Sequence, residues 1–299
     1  MVNGFDLYSI IAIKWIIRRI GAPIIQTYQK RASRLTRLPK PFIHVARIGG
    51  YHRVAGYYDH ADACVGISKA HCDYLVREGL SAKQVYYIGN FVETPKPLDL
   101  KELSALRRQL QIPADAIIVF SAGRFIERKG FEDLISAFSR APATTHGRSV
   151  FLMIAGDGPE REKLMEKVKT DGLTSRFRWV GWQKEPSNYY YLSDIFVLPS
   201  RIEILGNVFL EAWAHGIPVI STMTPGVAEF MENGINGILV PPSNPQRLAD
   251  ALTDLLKEEP PVWRQMANNA LKTMEENCSP PKIIGDYLEL YCKLRQRYA

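Results

Sequence analysis

The chain has 299 residues, 46% apolar and 23% charged, a mix that suits a folded globular protein of about two domains and excludes a disordered chain, a collagen or a disulfide miniprotein. Its net charge of +7 is gathered at the start: residues 1–60 carry Lys14, Arg18, Arg19, Lys30, Arg31, Arg34, Arg37, Lys40, Arg47 and Arg53 against Asp6 and Asp59. No stretch reaches the ~20 apolar residues of a membrane span, no secretory cleavage site follows the first apolar run, and no zinc finger, RNP strand or basic zipper accompanies the charge, so nucleic acid is not expected as a partner.

A helix is predicted over Leu7–Ile20, with Ile10, Ile11, Ile13, Ile16, Ile17 and Ile20 beside Lys14, Arg18 and Arg19. Two readings stay open for it. It is an interfacial helix on an anionic membrane surface, or its isoleucines pack into the first domain's own sheet. Short strands follow at Pro23–Thr27, Phe42–Ala46, Ala63–Ile67 and Gln84–Ile88, with helices at His52–His60 and Ser68–Glu78. Glu93–Leu98, with Pro95 and Pro97, reads as a linker.

From residue 115 the pattern alternates regularly. The strands Ile117–Ser121, Val150–Ala155, Phe177–Val180, Ile195–Leu198, Ile217–Ser221 and Gly237–Val240 precede helical segments Phe131–Arg140, Pro159–Lys169, Pro186–Leu192, Val208–His215, Val227–Met231 and Pro245–Leu256. Short buried runs separated by helices predict a parallel sheet covered on both faces. Two last helices are predicted, Pro261–Glu276 and Pro280–Tyr298. The expected division is 1–92, 93–279 and a C-terminal helix, 280–299, packing back toward the first domain.

Cys64, Cys72, Cys278 and Cys292 form no Cys-x-x-Cys pair and no zinc-spaced cluster, which reads as reduced thiols in a cytosolic protein. Walker loops, Gly-x-Ser-x-Gly, His-Glu-x-x-His and the metal-binding Asp-x-Asp are all absent. Three features remain, each at the carboxyl end of a predicted strand, where open α/β sheets bind ligands. Gly123-Arg124 and Lys129-Gly130 put cations before a helix, an arrangement suited to a diphosphate. Gly156-Asp-Gly158-Pro159 offers a turn that a ligand can approach, with Pro159 opening the next helix. Glu203 and Glu211 are separated by seven residues, and Gly206-Asn207-Val208 between them starts a helix whose amides favour an anion. Glu211 lies among Phe209, Leu210, Ala212 and Trp213, where a carboxylate needs partners such as sugar hydroxyls.

These residues, together with Val180-Gly181, Ser193-Asp194, Pro199-Ser200, Gly216-Ile-Pro-Val-Ile220 and Val240-Pro241, run in the order of a glycosyltransferase of family 4, and from Gly123 to Pro241 the chain resembles the C-terminal half of that family. The resemblance implies the GT-B fold, α/β with two Rossmann-like domains facing a cleft. It implies metal-independent, retaining transfer of a hexose-type sugar from a UDP- or GDP-sugar, with no further cofactor. Arg124 and Lys129 would bind the donor diphosphate with the amides of Gly206, Asn207 and Val208. Glu211 would hold the ribose, and Glu203 would contact the donor sugar, so that Glu203, Arg124 and Lys129 are the catalytic candidates. Gly123 and Gly156 would border the donor, and the loop after Gly181 the base.

The chain departs from the family in three places. Glu203-Ile-Leu-Gly206 stands where Glu-Gly-Phe-Gly is usual. The family's opening strand and glycine-rich acceptor loop are missing, so the N-terminal domain is expected to be incomplete. Arg47 stands where many members have a His, followed by Gly49, Gly50 and His52, the acceptor-side candidates. The expected acceptor is a lipid-linked or cell-envelope glycan, including lipopolysaccharide. The expected location is cytoplasmic, peripheral on the inner face of the plasma membrane. A non-catalytic or truncated sugar-nucleotide-binding protein is the alternative.

Overall fold

A computed structural model describes residues 6–93, 95 and 99–298. The chain divides into two compact units, one of residues up to Phe91 with those from Pro280 on, the other Val92–Ser279.

The first unit opens with α1 (Leu7–Ile20), whose start is capped by Asp6 accepting the Ser9 amide at 3.0 Å and whose end is turned by Gly21. Then come β1 (Ile24–Tyr28), α2 (Lys30–Leu35), β2 (Ile43–Arg47), β3 (Ala63–Gly66), α3 (Lys69–Arg77) and β4 (Val85–Tyr87). The sheet order is β1-β2-β3-β4, all parallel, so β1 is an edge among the described residues. Ile43, Val45, Ala63 and Val65 face the last helix, Pro280–Tyr298, through Ile283, Leu290 and Leu294. Ala46 and Cys64 on the other face meet Val54, Tyr58 and Leu75. The helix expected over His52–His60 is instead a run of turns: the amides of Tyr57 and Tyr58 share the Val54 carbonyl, and Gly56 at φ +79° breaks helical propagation. The basic run after residue 29, read only as charge, holds α2.

The second unit contains α4 (Leu100–Gln109), β5 (Ile117–Ala122), α5 (Phe131–Arg140), β6 (Thr144–Thr145), β7 (Arg148–Ala155), α6 (Arg161–Thr170), β8 (Phe177–Gly181), α7 (Ser187–Tyr191), β9 (Ile195–Leu198), α8 (Asn207–Ala214), β10 (Val219–Thr222), β11 (Ile238–Val240), α9 (Pro245–Lys257) and α10 (Pro260–Cys278). Its strands run β11-β10-β9-β5-β7-β8 in parallel, with β6 a short antiparallel flap on the start of β7. Ile117 and Val119 of β5 pack with Leu134, Ile135 and Phe138 of α5, while Ile118 and Phe120 point to the opposite side and are equally buried. Both faces are therefore covered, and each large buried apolar side chain stabilises the unit by roughly 1.5–3 kcal/mol.

Five of the six expected crossover helices form. The sixth, Val227–Met231, is a set of turns, because Pro225-Gly226 is pressed against the loop after β9 and Asn236 takes the Phe230 carbonyl and the Glu232 amide with its side chain. Helix α6 starts at Arg161 rather than at Pro159, which lies in the preceding turn. The expected linker Glu93–Leu98 lies largely outside the described residues. No helix among the described residues is long and apolar enough to cross a membrane. The last helix, Pro280–Tyr298, is α11.

Candidate functional site

The direction in which successive strands are added to the sheet reverses between β5 and β9, which are themselves parallel. The chain runs outward from β5 to β7 and β8 on one side, then returns to β9, β10 and β11 on the other. Loops leaving the carboxyl ends of β5 and β9 diverge there and leave a crevice. A cavity of about 420 Å³ occupies it, walled by Gly123 and Arg124 after β5, Gly156 after β7, Trp182 after β8, and Val208 and Glu211 of α8.

Arg124 is exposed at this wall. Lys129 lies in a 3-10 turn, Glu127–Lys129, and its stem passes 3.9 Å from where a Cβ on Gly123 would sit. Its ammonium donates to Glu203 Oε2, which also accepts the Ser200 hydroxyl at 3.2 Å. Gly206 ends the same loop with a left-handed φ of +85°, where a Cβ would lie 3.1 Å from Glu203 Cγ, and α8 begins at Asn207. Where the family usually has Gly-Phe, Ile204 and Leu205 turn their side chains inward and are buried.

Glu211 is fixed by groups that the sequence reading did not name. Tyr190 of α7 donates its phenol to Glu211 Oε2 at 2.9 Å, and the ring stacks on His215 with centroids 4.8 Å apart. His215 Nδ1 donates to the Glu211 carbonyl at 2.6 Å, which leaves Nε2 to accept the Ser187 hydroxyl at 2.8 Å. Burial pushes the Glu211 carboxyl above the usual carboxylate range, and the Tyr190 hydrogen bond pulls it partly back. The Tyr190 phenol is raised well above its ordinary value, first by burial and then by the Glu211 charge. Burial lowers His215, so its imidazole is neutral at pH 7. The signal for Tyr190 was present as the aromatic run Tyr189–Tyr191, but only the fold turns one ring of it onto Glu211.

Gly156 lines the cavity, yet the close approach it permits is not a ligand's. A Cβ there would lie 1.9 Å from the Gly123 carbonyl oxygen, so the absent side chain lets two strand-end loops meet backbone to backbone. Gly181 does not itself line the cavity but aims the next residue, Trp182, whose indole is 70% exposed at its edge. Such a face suits a planar ring. Asp194 serves the sheet: its carboxylate accepts the Ile118 amide at 2.8 Å and ties β9 to β5.

In the first unit, Arg47 at the end of β2 donates to Asn90 Oδ1, and its guanidinium lies 5.7 Å from the centre of the Tyr28 ring. Gly49 stands beside that guanidinium, and the His52 imidazole folds over Gly50, so the four acceptor-side candidates share one loop. His71 Nε2 donates to the Gly50 carbonyl at 3.1 Å, while the Cys72 thiol donates to the Tyr86 carbonyl, so the two neighbours do not act on one another. None of the four cysteines is in a disulfide. Among the described residues no three His, Cys, Asp or Glu side chains are grouped to hold a metal ion.

A family model described as glycosyl transferases group 1 matches residues 104–273, more than half of the chain. A lipopolysaccharide core biosynthesis glycosyltransferase of Rhizobium meliloti (strain 1021), LpsE, is 33% identical over 279 residues, which cover 93% of this chain and 78% of that protein. LpsD of the same organism is 31% identical over 284 residues, covering 93% of this chain and 79% of the relative. Among solved structures, Anabaena Alr3699/HepE in complex with UDP and glucose aligns with a TM-score of 0.81 at 19% identity, over 99% of this chain and 84% of that one, a likeness of fold alone.

Proposed function

The chain belongs to the group 1 glycosyltransferases and has a GT-B-like α/β fold, and from that premise we propose that it is a retaining, metal-independent family 4 enzyme moving a hexose-type sugar from a UDP- or GDP-sugar to a lipid-linked or cell-envelope glycan. The observation that carries the reading is the cavity at the reversal point of the sheet, with Arg124, Val208 and Glu211 on its wall and the Lys129–Glu203 pair beside it. Arg124, Lys129 and the start of α8 at Gly206, Asn207 and Val208 stabilise the diphosphate as the bond to the sugar's anomeric carbon breaks. Charge developing on a leaving group is where fixed cations and amides act most strongly. Glu211, held by Tyr190, accepts the ribose hydroxyls, and Glu203 faces the donor sugar. Trp182 offers the base a flat face. Arg47, Gly49, Gly50 and His52 belong to the acceptor side. The lipopolysaccharide core names of two relatives and the UDP and glucose of a structural neighbour support the choice of donor and acceptor class.

The same reading puts the protein on the cytoplasmic face of an envelope membrane, with α1 as the contact. Leu7, Ile11 and Trp15 form a stripe at four-residue spacing and are exposed, with exposed Lys14, Arg18 and Arg19 around it. An anionic bilayer matches both the apolar stripe and the charge.

The test is turnover. Purified protein with UDP-glucose or GDP-mannose and a rough-lipopolysaccharide acceptor is expected to release nucleoside diphosphate, undiminished by EDTA. Release that collapses in EDTA and returns with manganese removes the metal-independent mechanism. Tight nucleotide binding with no release from any donor favours the non-catalytic binding protein.

A further inference from the structure

We propose that Arg201 is a positioning residue that sets Glu203 against Lys129 by clamping the loop after β9 onto the start of α5. This deepens the glycosyl-transfer reading and rests on it for the roles of Lys129 and Glu203.

The loop Pro199–Gly206 has no regular structure of its own, yet it carries Glu203 and must hold it in one place. Its attachment runs through Arg201. The Arg201 amide donates to the Arg128 carbonyl at 2.8 Å, and the Ile202 amide reaches the same oxygen at 3.3 Å. The Arg201 side chain grips α5: Nε donates to Asp133 Oδ2 and Nη2 to Asp133 Oδ1, both at 2.8 Å, and Nη1 reaches Glu127 at 3.4 Å. This two-pronged geometry is available to a guanidinium and not to an ammonium. Asp133 lies in the first turn of α5, where a carboxylate is favoured by the helix amides, and its side chain is 13% exposed, which limits screening of the pair. The residues it joins, Glu127 through Asp133, include Lys129.

Two glycines make the clamp a tight one. A Cβ on Gly130 would lie 2.0 Å from the Pro199 carbonyl oxygen, and one on Gly226 would lie 1.6 Å from the Ile204 carbonyl oxygen. The Glu203 loop thus runs between two backbones, and Arg201 fixes its register against the one that carries Lys129. Arg201 itself is not on the cavity wall. Its effect on chemistry passes through Glu203 and Lys129.

The experiment compares full-length wild type with R201M, R201K and D133N. UDP release from UDP-glucose gives kcat, calorimetry gives UDP affinity, and thermal unfolding reports the fold. R201M is expected to lower kcat by tenfold to a hundredfold, while UDP affinity, to which Lys129 contributes beside Arg124, α8 and Glu211, falls less than it does in Lys129→Ala. R201K recovers part of the loss. R201M/D133N is no worse than R201M alone, because both act through one contact. A readout independent of turnover is the rate at which acetic anhydride modifies Lys129, followed by mass spectrometry. Freed from its fixed partner, Lys129 reacts several-fold faster in R201M and D133N, with Lys282, which pairs with Asp286 in the other unit, unchanged as the control. Unchanged Lys129 reactivity in R201M overturns the proposal whether or not the protein turns over UDP-glucose, as does a kcat within twofold of wild type. A wild-type protein that shows the Lys129 effect but releases UDP from no donor counts against the glycosyl-transfer reading and leaves the clamp standing. Should R201M not fold, R201K and D133N carry the same comparison.

Discussion

Helix α8 has eight residues and buries four large or small apolar ones, Phe209, Leu210, Ala212 and Trp213; α1 has fourteen, is as apolar to the eye, and buries only Ile17. Leu7, Tyr8, Ile11, Trp15, Ile16 and Ile20 of α1 are exposed. The difference lies in what each helix has to lie on. Helix α8 sits over β9 and β10 in mid-sheet and is backed by α10. The sheet of the first unit ends at β1, an edge among the described residues. Apolar content therefore says that a helix wants a partner, not that it has one. Glycines depend on their surroundings in the same way: a Cβ on Gly130, Gly156 or Gly226 would meet other backbone, whereas one on Gly21, Gly56, Gly147 or Gly172 would stand in open space.

The largest test of that contrast is Gly226→Ala. The added methyl meets backbone of Ile204 and Leu205, which has no rotamer to yield, so a loss of roughly 3 kcal/mol or more is expected in urea unfolding. A loss below about 1 kcal/mol means that the turn at 225–230 moves freely, and the packing account of the Glu203 loop fails.

Next comes α1. The protein is expected to sediment with phosphatidylglycerol vesicles and not with phosphatidylcholine ones. Replacing Lys14, Arg18 and Arg19 together by Ala weakens this more than tenfold, at about 1 kcal/mol per basic residue, and high salt does the same. Protein left in the supernatant with both lipids at low salt shows that the exposed face serves some other contact.

In the second unit, Lys129→Ala or Arg124→Ala is expected to weaken UDP binding by about 1.5–3 kcal/mol in calorimetry, as for charge-assisted hydrogen bonds. Unchanged affinity in both removes the diphosphate assignment.

Glu211→Gln separates binding from stability. The folded carboxyl titrates above its unfolded value, so its contribution to stability is present below the unfolded pKa and lost as pH rises through the folded one. At neutral pH the buried charge is a cost, and the Gln variant is expected to be slightly more stable, by about 1 kcal/mol or less, while UDP affinity falls about tenfold. Wild-type UDP affinity declines as pH drops through the raised Glu211 pKa, and the Gln variant shows no such decline. Parallel pH profiles for the two proteins take Glu211 out of ribose binding.

The smallest effect belongs to the first unit. Gly285 lies within α11 with nothing near its missing Cβ, so Gly285→Ala is expected to raise stability by about 0.5–1 kcal/mol. A loss of stability on thermal unfolding means that a neighbour occupies that space.

The parallel strands of the second sheet were legible because each is a short apolar run bounded by glycine or proline, whereas the antiparallel flap Thr144–Thr145 carries no such signal. Helices α1, α5 and α11 were legible through apolar periodicity and their end residues, Asp6 and Gly21 for α1. His52–His60 and Val227–Met231 misled for a related reason: each is apolar enough for one helical turn, and what stops it is a long-range contact or a glycine conformation. Arg124, Lys129, Glu203 and Glu211 stood out by residue type and spacing at strand ends. Tyr190, Asp133 and Arg201 did not, because a tyrosine, an aspartate and an arginine in those segments look like any half-exposed side chain until the sheet order brings residue 190 to residue 211 and residue 133 to residue 201. Local propensity acts over a few residues and is written along the chain. Which loop lies against which depends on strand order and on backbones close enough to exclude a Cβ, and only the packed sheet decides that.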